Sequence, residues 1–261
     1  MLSRPVLLAC TLLLSCPALG RDNAPSTQDL CRQATPVARD LWNRDLYDAP
    51  PGVAALMVDV IDGRLAEARE QLARLNPGEV ARWRQTAMLT AIYAGHTDMV
   101  EALLGDGAVA DGMGWIPPLR DSFFRQTVAA MKQDARLEGS STVKGLAAAG
   151  LLKNEGRYYG PALVIAASCG DAATVDVLLR HHANGLARSS TNGADALTVA
   201  TVLGHAEIVE RLLDHGANPC IDDRFIQMHQ PDASLATIGR QKGLPAALVQ
   251  RLVCPAVDTA H

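Results

Sequence analysis

Residues 204–218 read GHAEIVERLLDHGAN. A Gly-His turn opens the stretch. A short helical pattern follows, with Ile208, Val209, Leu212 and Leu213 on one face, and Gly-Ala-Asn closes it. The same phrase occurs upstream as GHTDMVEALLGDGA at 95–108 and as GDAATVDVLLRHHAN at 170–184. Three copies of one helical phrase make a repeat array the first hypothesis and give an all-α fold class. One unit of this size cannot bury its apolar face alone; stacked neighbours create a continuous core.

Outward from these copies, the period organises most of the chain. Gly63 and Gly95 are 32 residues apart, and Gly170 and Gly204 are 34 apart. A first, degenerate unit falls at 54–75, with Leu56, Leu65, Ala68 and Leu72 around the Asp62-Gly63 turn. The second is expected over 86–111, its first helix opening at Thr86-Ala87-Met88. Pro117-Pro118-Leu119 reads as the opening of a third, although Gln126 stands where a turn glycine belongs. Residues 137–156 do not fit the period and read as an insertion carrying one short helix. A fourth unit is expected at 161–184, a fifth at 195–218 and a worn sixth at 234–253, with a polar outer face at Arg240, Gln241, Lys242, Gln250 and Arg251. Residues 21–53 read as a linker and a capping helix over the apolar edge of the first unit, and 254–261 as a tail.

The array from 54 to 253 resembles ankyrin repeats. The carrying pattern is G-H-x-E-I-V-x-x-L-L-x-x-G-A-N, with two near-copies. The resemblance implies a solenoid of about six helix-turn-helix units with degenerate end caps and one insertion. It also implies that His96 and His205, after the turn glycines, are structural. The family's T-P-L-H opening never appears whole; Leu89, Val164 and Thr198 replace its histidine. Ankyrin arrays are binding scaffolds, and their loop tips and concave face are the surfaces expected to hold a protein partner.

The first twenty residues read as an export signal. Arg4 gives a positive start and Val6 to Leu14 an apolar run too short to span a bilayer. Two processings stand open: cleavage after Gly20, or lipid attachment at Cys16 in Leu-Leu-Ser-Cys. Both deliver the chain to the periplasm, and no other apolar run is long enough to cross a membrane. Cys31, Cys169, Cys220 and Cys254 remain after either processing. Cys220 and Cys254 end neighbouring units and are expected to pair; Cys169, on a first helix, reads as a packed free thiol.

Composition narrows the function. Net charge is -4 without a basic stripe, which argues against nucleic acid. No nucleophile elbow, phosphate loop or zinc-ligand spacing is present, so neither an enzyme nor a cofactor or metal site is expected. His181, His182 and His215 read as exposed loop residues. Only ten aromatics occur, and Trp83, Trp115, Tyr158 and Tyr159 each precede a first helix, where loop tips project. Tyr93 is expected on the concave side of its own helix, with Arg84, Arg120 and Arg157 near the aromatics to hold a carboxylate-bearing partner. The resulting expectation is an exported scaffold for a periplasmic protein, supporting a periplasmic enzyme. The alternative is an immunity protein against a toxin acting in the periplasm.

Overall fold

A computed structural model describes residues 27–45, 47–118, 120–121, 155–189, 193–220 and 234–254. The expected export signal with Cys16, the expected tail after Cys254 and nearly all of the expected 137–156 insertion lie outside these residues. So does the body of the expected third unit, residues 122–136.

Five helical pairs stack in series among the described residues. They are α2 (Val53–Ile61) with α3 (Leu65–Arg74), α4 (Pro77–Ala94) with α5 (Thr97–Gly105), α6 (Ala162–Cys169) with α7 (Ala172–Arg180), α8 (Ala196–Leu203) with α9 (Ala206–Asp214), and α10 (Leu235–Gln241) with α11 (Ala246–Arg251). In each pair the residue ending the first turn is a glycine with φ between +72° and +78°: Gly63, Gly95, Gly170, Gly204 and Gly243. That left-handed conformation crowds a β-carbon, so glycine marks the turn. First helices such as ALVIAASC and ALTVATVL are buried almost all round, whereas second helices keep one polar face. His96 Nε2 lies 2.9 Å from the Ile61 carbonyl, and the His205 ring bonds the Ser168 backbone. Each histidine thus reaches the residue two before the turn glycine of the preceding unit.

The second helices are joined by one arginine–carboxylate bridge at every step: Arg69–Asp106, Arg180–Glu101, Arg211–Asp176 and Arg251–Asp214. These pairs are largely exposed, and screened surface ion pairs add little to stability. They fix the neighbour order on the outer face more than they stabilise it.

Two expectations change. Helix α4 begins at Pro77, nine residues before Thr86, because proline suits the first helical turn and Glu79 favours its positive end. Unit α4–α5 packs directly on α6–α7. Helix α1 (Thr27–Asn43) does not close the edge of the first unit alone. It packs on α2, α4 and α6, crossing the first-helix face of three successive units.

The reason is visible along α1 at one-turn intervals. Cys31 is disulfide-bonded to Cys169 of the third unit, with the Cα atoms 5.7 Å apart. Cys169 is therefore not a free thiol. Thr35 donates to the Tyr93 carbonyl of the second unit at 3.4 Å. Arg39 bonds Asp62 of the first unit through two nitrogens, at 2.7 and 2.8 Å. Leu41 and Trp42 bury the last turn, and Trp42 meets the buried Tyr47 with ring centroids 4.2 Å apart. At the other end, Cys220 and Cys254 form a second disulfide, their Cα atoms 5.2 Å apart.

Candidate interaction site

Where the chain leaves the stack it forms the only strand pair among the described residues. Strand β1 (Gly114–Ile116) runs antiparallel to β2 (Arg157–Tyr159), with Gly114 opposite Tyr159, Trp115 opposite Tyr158 and Ile116 opposite Arg157. The two strands form a short finger that packs beside helix α4. Alternate residues of a strand point to opposite faces, so the register sorts the side chains. Trp115 and Tyr158 share one face; Ile116, Arg157 and Tyr159 share the other.

Helix α4 seats the finger. Thr86 Oγ1 accepts the Trp115 N–H at 3.0 Å, and the Tyr159 hydroxyl donates to the Thr86 carbonyl at 3.4 Å. Gln85 pairs in both directions with the Val109 backbone at 2.9 Å and holds the chain entering β1. Two glycines make room for the rings: a β-carbon on Gly114 would collide with Tyr159, and one on Gly156 with Trp115. The chain beyond β1 is tied to the exit of α1. Asp48 donates its N–H to the Pro118 carbonyl at 2.8 Å, and Arg120 bonds Asp45 through its carbonyl and carboxylate at 2.7 and 2.6 Å.

The eight expected contact residues therefore separate. Trp83 is 1% exposed inside α4 and fills the core, because the helix starts well before it. This corrects its placement at a loop tip. Tyr159 turns inward onto Tyr93, with ring centroids 6.2 Å apart. Burial pushes its hydroxyl pKa up to about 12, offset in part by a hydrogen bond with Thr90. Tyr93 is half-buried beneath α1 and does not lie open on a concave face; burial raises its pKa strongly. Arg120 is exposed but occupied by Asp45. Arg84 lies half-buried against Gly107, with its buried Nε unpaired.

Trp115 and Tyr158 remain outward on the finger. Trp115 and Tyr158 stack with centroids 4.8 Å apart, and Tyr158 is 55% exposed. The Arg82 guanidinium sits 5.9 Å from the Trp115 ring centre, an arrangement in which a cation is attracted to the ring face. Arg157 is half-buried near Tyr47.

Sequence reading missed two parts of this surface. Arg82 looks like any polar helix residue, and only the strand register brings Trp115 beneath it. Tyr47 follows a helix end with no periodic partner, yet it is buried between α1 and the finger. Three of the histidines, His181, His182 and His215, are exposed, and no group of three His, Cys, Asp or Glu side chains converges among the described residues. Among those residues no helix is long and apolar enough to cross a membrane.

A family model described as ankyrin repeats, in three copies, matches residues 131–223. The match spans units α6–α7 and α8–α9. No curated protein matches the chain.

Proposed function

We propose that this chain, whose residues 131–223 match ankyrin repeats and so indicate a protein–protein interaction scaffold, holds its partner on the finger. The contact is the outward face of Trp115 and Tyr158, with Arg82 at its margin. The observation that carries this reading is the stacked pair itself: two large rings, one of them 55% exposed, on a strand pair braced against α4. Rigid aromatic side chains give large contact area for little lost entropy and dominate binding hot spots. The first-helix face is a poorer candidate over units 1 to 3, since α1 occupies it.

The setting we propose is the periplasm, where the scaffold supports a resident enzyme. The signal-like residues 1–20 motivate this, and two disulfides suit an oxidising compartment. Nothing in the site favours toxin immunity over this role. The test is Trp115→Ala with Tyr158→Ala in the full chain, measuring affinity for the partner recovered from periplasmic extract. A loss of about tenfold or more is expected, as for hot-spot truncation. Unchanged affinity in a folded double variant would remove the finger from the interface.

A further inference from the structure

The last unit is joined to its neighbour differently from the others. At three joints the residue after the turn glycine makes a polar tie to the preceding unit. His96 bonds the Ile61 carbonyl, Asp171 accepts from the Thr97 hydroxyl at 3.4 Å, and the His205 ring bonds the Ser168 backbone. In the fifth unit Leu244 follows Gly243, and its buried side chain has no hydrogen bond to offer. Helices α10 and α11 have seven and six residues, the shortest pair among the described residues. Helices of that length depend on packing, because their own hydrogen bonds do not repay nucleation. The Arg251–Asp214 ion pair at this joint is exposed and adds little. The covalent tie is Cys220–Cys254, which links the exit of the fourth unit to the chain just after α11. Both of its cysteines are exposed, whereas Cys31 and Cys169 are buried.

We propose that Cys220–Cys254 is a redox-controlled clamp on the terminal unit, opened by an external dithiol and closed again by the oxidised form of such a reagent. One thiolate of the dithiol attacks a sulfur of the pair and forms a mixed disulfide, and its second thiolate displaces that bond. The dithiol leaves as a cyclic disulfide, the pair gains two electrons, and the two cysteines take up two protons. Closing runs the same exchange in reverse. Exposure is what admits the reagent, and exposed disulfides are the labile ones. With the clamp open, the joint rests on the apolar packing of Leu235, Ile238, Leu244 and Leu252, and the short helices undock by local opening. The buried Cys31–Cys169 bond keeps α1 tied to the third unit meanwhile. The finger takes no part in this device.

The test equilibrates the purified full chain in graded mixtures of reduced and oxidised dithiothreitol. Alkylation with mass mapping reads which bond is open, and amide exchange read by mass spectrometry reports protection along the chain. In mixtures that open Cys220–Cys254 and leave Cys31–Cys169 closed, exchange in α10 and α11 should speed up by about a hundredfold, the scale of the lost loop-closure constraint for a bond of this span. Exchange in α2 to α7 should stay as it was. Return to the oxidised mixture should restore the slow rates. A variant with Cys220→Ser and Cys254→Ser should exchange fast in α10 and α11 in every mixture. The wild-type arm needs no substitution, so it decides the matter even if that variant folds poorly. An opened pair with α10 and α11 still protected overturns the proposal. So does a pair that opens only together with Cys31–Cys169, or one that stays open in the oxidised mixture.

Discussion

Replacing Cys31 and Cys169 together by alanine removes the covalent tie between α1 and the third unit. The bond joins residues 138 apart in sequence. Closing a loop of that length restricts the unfolded chain by about 5 kcal/mol in the chain-entropy model, where measured losses run from near zero to that figure. The structure says why most of the loss should appear. Both sulfurs are buried, and the two Cα atoms are 5.7 Å apart, within the ordinary span of a disulfide. It also says what survives: Arg39–Asp62, Leu41 and Trp42 hold the other end of α1 on the first unit. Urea unfolding followed by circular dichroism should therefore give a loss of about 2–5 kcal/mol, with a larger slope because the uncrosslinked chain exposes more surface. Amide exchange should rise around Cys31 and Thr35 and change little around Leu41 and Trp42. A loss under about 1 kcal/mol, with exchange in α1 unaltered, would refute the view that this bond holds α1 across three units.

Other outcomes follow from the same geometry. Trp83→Ala should cost about 3–5 kcal/mol in the same assay, since the ring is 1% exposed, and should leave partner affinity of the folded fraction unchanged. Tyr158→Ala should do the reverse, costing stability about 1 kcal/mol from the lost stacking with Trp115 while weakening the complex. Under a dithiol reductant, alkylation and mass spectrometry should find Cys220–Cys254 opened before Cys31–Cys169, because the first pair is exposed and the second buried. Burial lowers the His205 pKa, so the unfolded chain binds more protons once pH falls below about 6.5; stability should drop below that pH, and His205→Gln should flatten the drop. The Arg39 pair holds Asp62 at about 2, against desolvation and with help from Arg64, so its contribution is complete above pH 3.8 and lost as pH falls through 2; Asp62→Asn should remove that acid limb in urea titrations.

The repeated phrase made the helical pairs legible because each unit closes on a glycine that the left-handed turn requires, and because His96 and His205 follow it. The finger was legible only in part. Trp115 and Tyr158 stood out as rare aromatics, but their pairing across more than forty residues of chain depends on the register of β1 and β2, which local patterns do not encode. Trp83 misled because the repeat's usual opening, at Thr86, conceals a helix that Pro77 starts more than two turns earlier. The path of α1 was hidden for a related reason. Its apolar spacing says that it packs, and only Cys31, Thr35 and Arg39 taken with their distant partners say where.

The central claim is that the partner meets the finger and not the first-helix face. Val202 of α8 occupies the place in its unit that Tyr93 has in α4, two residues before the turn glycine, and it lies beyond the three units that α1 crosses. Placing a photo-reactive benzoyl-phenylalanine at 158 in one full-length protein and at 202 in another, then comparing partner capture, tests the two surfaces directly. Capture from 158 with none from 202 is the expected result; capture from 202 with none from 158 would contradict the account.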